Sequence, residues 1–342
     1  MKKQKIRFYA ALLCSSMVFS LVSTPVSAAE TGQLTNPPTS TEELSSPESI
    51  SGNEAASALN GLSVLAANGE AEVTTASELT GALADSSISR ITLKGDIDIG
   101  STLTVNRTVT LDLNGCVLKM TGSDSVIKVE ADGDLTIQDR NTTTQHKFNP
   151  HCKYLTWYID MWELDNGGSE IVSGGVITGG GGDQSNGGGV LVAGGTLVMA
   201  GGSIVGCSAM SRGGGVCNNG TFIMSDGMIK GCTSPDGQYA SGGGVRNSNQ
   251  FTMTGGMIGD PDNENDASHV YNTSSQETTL TISGNAKIYT DITNVGILNA
   301  DGGEIAGTMT NDTNRYGNRV GGSFRRRPLT PPDMRFRIRR FS

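Results

Sequence analysis

Leu197-Val198-Met199-Ala200-Gly201-Gly202-Ser203-Ile204 is the stretch on which the reading turns, because its pattern keeps returning along the chain. Phe222-Ile223-Met224-Ser225-Asp226-Gly227-Met228-Ile229 repeats it, as do Phe251-Thr252-Met253-Thr254-Gly255-Gly256-Met257-Ile258 and Leu280-Thr281-Ile282-Ser283-Gly284. Ile171-Val172-Ser173-Gly174-Gly175-Val176-Ile177 aligns ahead of them. The first turn positions (174, 201, 226, 255 and 284) are spaced by 27, 25, 29 and 29 residues. A second marker keeps the same beat: Gly187-Gly188-Gly189-Val190, Gly213-Gly214-Gly215-Val216 and Gly242-Gly243-Gly244-Val245. Within each burst apolar and polar residues alternate, which is strand periodicity, and the glycines provide turns that other residues make poorly. One such unit cannot hide its apolar face, whereas stacked units bury a continuous stripe.

Earlier in the chain the beat is looser. Ile91-Thr92-Leu93-Lys94-Gly95 is followed by Leu111-Asp112-Leu113-Asn114-Gly115 and Leu135-Thr136-Ile137-Gln138-Asp139, which places Leu93, Leu113 and Ile137 at equivalent positions. Coils about 4.8 Å apart, roughly nine of them between Arg90 and Ile305, would stack to about 40 Å. Thr75-Ala76-Ser77-Glu78 has the form of a capping box, so a short helix through Leu83 is expected to cover the first exposed strand edge. The expected fold is all-β: a right-handed parallel β-helix over residues 73–310 with a short N-terminal capping helix.

The glycine-rich coils resemble the parallel β-helix of the pectate-lyase-like superfamily. They are closer still to bacterial surface proteins of the adhesin type, with coils of the form GTFTMSGGxI…GGGV, and similar to polymorphic outer-membrane-type repeats. The resemblance spans about Ile91 to Ile305. It implies the fold more firmly than the activity, because lyases, hydrolases, adhesins and fibres share this architecture.

Composition narrows the rest. The 342 residues include 47 glycines and only 10 prolines, without collagen's every-third spacing. Between positions 30 and 314 there are 33 acidic and 12 basic residues, a balance of −21 that disfavours nucleic acid as a partner of the main domain. Residues 1–29 have the basic start, apolar stretch and small-residue site Val26-Ser27-Ala28 of a signal peptide. The expected product is secreted, associated with the cell surface, and has no membrane span once the signal is removed. Residues 30–72 read as a disordered Ser/Thr/Pro-rich linker. Five cysteines follow the signal, and their odd number leaves at least one unpaired within the chain. The segment 311–342 changes language: seven arginines fall between Arg325 and Arg340, and it reads as a foreign or out-of-frame end to a longer repeat protein.

Candidate sites follow from stacking. The outward stripe Val198, Ile223, Thr252, Thr281 carries no paired carboxylates, and Asp112, flanked by Thr92 and Thr136, is a lone acid; acid–base cleavage of a glycosidic bond needs two. No catalytic residue is therefore assigned. Asn218, Asn247 and Asn272 share one file and are expected to form an amide ladder, while Cys207 and Cys232 sit at equivalent places as a buried thiol pair. An insertion at 141–166 breaks the beat and holds Tyr154, Trp157, Tyr158 and Trp162, aromatic faces on which sugar rings could stack or which pin the insertion to the side of the rod. It also holds His146, His151 and Cys152, a weak metal grouping. Asp260, Asp262, Glu264 and Asp266 alternate oxygen ligands as a calcium loop does, but without the central glycine and closing glutamate of an EF-hand; a solvated acidic loop is the preferred reading, and no cofactor is required. The sequence favours adhesion or presentation, with glycans or cell-surface components as partners. The rival is a polysaccharide lyase or glycoside hydrolase recruiting Lys230, Arg246 and loop acids at a cleft; a third reading is a structural stalk.

Overall fold

The computed structural model describes residues 69–152, 160–181, 186–234, 242–263, 266–273, 277–311 and 320–321, all of them within one compact unit spanning 52–342. Tyr154, Trp157, Tyr158 and Glu264, the segments 1–29 and 30–68, and most of the tail lie outside these described residues.

The chain winds through three parallel ladders, one strand in each per coil. Ladder A starts with Glu70–Val73, Arg90–Leu93, Thr108–Asp112 and Asp134–Gln138. It continues through 196–199, 221–224, Gln250–Met253, 279–282 and 297–300. Ladder B runs Ile97–Ile99, Val117–Met120, Val176–Thr178, 203–205, 228–230, Met257–Ile258, 287–288 and 304–305. Ladder C runs Leu103–Val105, Ile127–Val129, Val190–Val192, Val216–Asn218, Val245–Asn247, Val270–Asn272, Ile292–Asn294 and Met309–Asn311. Among the described residues this makes eight complete coils, one fewer than the spacing predicted, with Val320–Gly321 opening another on ladder A. The parallel β-helix expected from the repeat is the fold observed.

Burial follows the alternation. Leu135, Leu197, Phe222, Phe251, Leu280 and Leu298 form one inward file, and Ile137, Met199, Met224, Met253, Ile282 and Ala300 form the next; all are buried. The Phe222 and Phe251 rings stack with centroids 4.5 Å apart and planes 9° from parallel. Each such side chain contributes about 1.5–3 kcal/mol by leaving water. The triple glycines between ladders B and C are required by close approach of coils. A Cβ on Gly214 would lie 2.1 Å from the Thr233 carbonyl oxygen and 2.6 Å from that of Gly243.

The first coil is closed by helix α1 (Ala76–Ala84). Thr75 and Glu78 form the capping box at its start, and Leu79, Ala82 and Leu83 are buried beneath it. Arg107 reaches up from the second coil and donates to the carbonyls of Ala82 and Leu83, acceptors at the helix end that lack an intrahelical partner, and to that of Ile88 beyond it. Strand pairing begins at Glu70, three residues inside the stretch read as linker. Among the described residues no helix is long and apolar enough to cross a membrane.

Two alignments made from sequence are corrected. Ile137 pairs with Leu111 rather than with Leu113, so Asp112 lies between Thr92 and Gln138, and Thr136 pairs with Thr110. Ile171-Val172-Ser173 stand outside the ladders altogether: Leu135 and Ile137 occupy the ladder positions beneath Leu197 and Met199. The turn Gly174-Gly175 does belong to the repeat, since Val176 pairs with Ser203.

Candidate functional site

The third coil is interrupted between Gln138 and Val176 by an antiparallel sheet in which Gln145–Cys152 lies between Asp160–Leu164 and Glu170–Ser173. One carboxylate governs both the departure and the return. Asp139 accepts the Gly115 N–H at 2.7 Å on Oδ1 and the Gly175 N–H at 2.8 Å on Oδ2. The His146 ring nitrogen Nε2 lies 3.0 Å from the Gly115 carbonyl oxygen, fastening the first insertion strand to the second coil.

The inserted sheet docks on the outward side of ladder B. Phe148, Trp162 and Val172 pack there against Val117, Val176 and Val205, in an apolar cluster separate from the main core. Of the two roles open to the insertion's aromatics, Trp162 takes the anchoring one: it is 1% exposed and does not offer a face to a sugar. Its ring lies 4.3 Å beneath the Lys230 ammonium, which also contacts Asp260 Oδ2 at 3.3 Å. Burying that cation is tolerable because it is both paired and placed over an aromatic face. Gly231, at φ 60°, is required here, because a Cβ would fall 2.2 Å from Trp162 Cγ.

The acidic loop is occupied by its own architecture. Asp260 pairs with Lys230 and accepts the Asp262 N–H. Asp266 accepts the backbone N–H groups of Gly231 and Ser268. Burial raises the Asp266 carboxyl above the ordinary aspartate range, with the charge of Asp260 acting the same way and the donors from Ser268 and Gly231 opposing it. Among the described residues no three carboxylate, imidazole or thiol groups converge as a metal site.

The ladder residues lie inside. Asn218 Nδ2 donates to Asn247 Oδ1 at 2.8 Å and Asn247 Nδ2 to Asn272 Oδ1 at 2.7 Å. The chain of amides then runs on through Asn294 and Asn311, both at 2.7 Å, two members that the sequence reading missed. Their signal was present: Ile292-Thr293-Asn294 and Met309-Thr310-Asn311 repeat the Val-x-Asn pattern after the triple-glycine marker has ended. Cys207 and Cys232 are buried free thiols on successive coils. Burial, and then the neighbouring Cys207, push the Cys232 thiol well above its usual range. The pair offered to the enzymatic rival is divided, Lys230 lying on ladder B and Arg246 on ladder C.

Among the described residues a groove of about 450 Å³ is open along the corner between ladders A and B, beside the insertion. The corner is hollow for a sequence reason. It is turned by glycines such as Gly202 (φ 72°), Gly227 (φ 91°) and Gly256 (φ 76°), so few side chains fill it. Thr142 and Ser173 of the insertion border it on one side; Asp226, Asn285 and Lys287 supply exposed polar groups, and Met228 and Met257 supply half-buried apolar surface. Both oxygens of Asp139, also in the lining, are taken by backbone donors, and Asp226 accepts the N–H of Gly227. Hydroxyl, amide, ammonium and methionine surface spread over several coils suit the holding of an extended polar chain.

Residues 70–173 match the family described as "Putative pectate lyase-like adhesive domain", from the first strand of ladder A to the last strand of the insertion. No curated protein and no solved structure matches the chain. The early coils and the insertion bordering the groove are therefore similar to a pectate lyase-like adhesive domain, a likeness that suggests a surface adhesion-type role.

Proposed function

We propose that this chain is an exported, non-catalytic adhesion module that binds an extended glycan in the groove between ladders A and B. The observation that carries the reading is the groove itself: a glycine-turned corner open across coils 3 to 7, beside an inserted sheet, in a chain whose first coils match an adhesive domain. Export rests on residues 1–29, and N-terminal sequencing of protein recovered outside the cell tests it by finding the mature start after Ala28 or Ala29. Binding is tested by incubating the mature protein with a polysaccharide panel, with and without calcium, scoring retention and chain cleavage separately. Ala200 is exposed in the groove, and Ala200→Trp fills it. Retention without new chain ends, lost in Ala200→Trp, supports the proposal. Cleavage of the retained polymer, or retention indifferent to Ala200→Trp, refutes it.

A further inference from the structure

The body of the chain between positions 30 and 314 contains five arginines, Arg90, Arg107, Arg140, Arg212 and Arg246. Three are accounted for by fold chemistry. Arg90 pairs with Glu70, Arg140 with Asp112, and Arg107 is spent on the carbonyls at the end of α1. The remaining two share one region of ladder C, and among the described residues neither forms an ion pair.

Arg246 holds the outward middle position of the ladder C strand on coil 5, between Cys217 on the coil before and Tyr271 on the coil after. Its Nη1 donates to Ser248 Oγ at 2.8 Å, while its Nε is buried and has no acceptor. Arg212 is exposed on the turn leading into the preceding coil, where its backbone bridges to Asn186. The two charges act on each other: burial and then the proximity of Arg212 lower the affinity of Arg246 for its proton. A segment with 33 acidic residues and 12 basic ones has carboxylates to spare, yet among the described residues none forms an ion pair with either arginine. Such an uncompensated pair is costly unless an anion joins it.

We propose that Arg246 and Arg212 form an anion site on ladder C that takes the carboxylate or sulfate of an acidic polysaccharide, with Tyr271 beside it for a sugar ring. A guanidinium grips such groups with parallel hydrogen bonds, and an aromatic neighbour offers the stacking surface that sugars use. A single cationic spot fits a polymer whose charges are spaced along neutral sugars. Nucleic acid instead calls for a track of cations following consecutive phosphates. The site lies on ladder C, apart from the groove between ladders A and B, and does not depend on the groove's occupant.

The experiment uses the mature chain and hyaluronan, which carries one carboxylate per disaccharide, beside its carboxyl-reduced form and single-stranded DNA. Expected are retention of hyaluronan that weakens as salt rises, little retention of the reduced polymer or of DNA, and affinity lowered about tenfold in Arg246→Gln. Arg212→Gln, an exposed change that leaves the coil contacts alone, should lower it severalfold, and Ala200→Trp should leave it unchanged. Arg246→Lys, which keeps the charge and loses the fork, should fall between the wild type and Arg246→Gln. Failure of hyaluronan to bind, equal binding of the reduced polymer, tighter binding of DNA, or indifference to both arginine changes each overturns the proposal. Should Arg246→Gln not fold, Arg212→Gln and the salt series decide it. Loss of binding in Ala200→Trp alone would transfer the ligand to the groove and refute this site while supporting the other.

Discussion

Replacing Asn247 by alanine tests the amide file where it is most demanding. Asn247 is fully buried, donates from Nδ2 to Asn272 Oδ1 at 2.7 Å and to the Thr279 carbonyl at 3.0 Å, and accepts from Asn218 Nδ2 at 2.8 Å. Asn247→Ala leaves one donor and two acceptors without these partners in the interior, at about 1–3 kcal/mol each, with carbonyls at the lower end. A cost of about 4 kcal/mol is expected. Asn311→Ala, at the far end of the file, removes the bond from Asn294 Nδ2 and should cost about 1 kcal/mol. Coils of a solenoid can open separately, so a single unfolding midpoint is a poor measure. Native-state hydrogen exchange at 245–247 and 270–272 reads the effect where it occurs. A difference of about 3 kcal/mol corresponds to over a hundredfold faster exchange in Asn247→Ala than in Asn311→Ala. Rates within twofold of each other in the two variants would refute the view that the file is a connected structural unit.

Three further outcomes follow from the geometry. Gly231→Ala should drive the insertion off ladder B, because the new Cβ meets the Trp162 ring at 2.2 Å; limited proteolysis would then cut within 141–173 while the coils stay intact, and an unchanged digest would contradict the docking. Thr75→Ala removes the capping box of α1 and should cost about 1 kcal/mol, seen as roughly fivefold faster exchange in the helix with coils 5 to 8 unaffected. Asp266, raised above the ordinary 3.8, binds its proton more tightly in the folded chain than in the unfolded one. Its contribution to stability is therefore complete below about pH 3.8 and is lost as pH rises through the folded value; Asp266→Asn should flatten the stability curve over that rise, and an unaltered slope would count against it.

The later coils were legible because the glycine turn, joined in coils 3 to 5 by the triple glycine, has to fit the same backbone contacts every time. The early coils were less so. Their corners are turned by different means, such as Asn114 (φ 49°) before Gly115, and the two-residue slip between Leu111 and Leu113 has no glycine marker to correct it. Ile171-Val172-Ser173 imitated a ladder strand because an antiparallel strand that buries one face has the same alternation; Val172 is buried and Ile171 is 50% exposed. Where that strand pairs depends on Gln145–Cys152, with which no repeat connects it. The groove was illegible for a related reason: it arises from absent side chains at a corner and from an insertion whose docking surface is spread over Val117, Val176 and Val205, 88 residues from first to last.

That docking has a mechanical consequence. Phe148, Trp162 and Val172 press on valines from three successive coils, and the Trp162 backbone N–H donates to the Gly231 carbonyl on a fourth. A pull along the winding axis therefore cannot separate coils 2 to 5 one at a time, as it could where only ladder bonds join them. The inserted sheet works as a splint laid across the joints, distributing shear over the span that borders the groove.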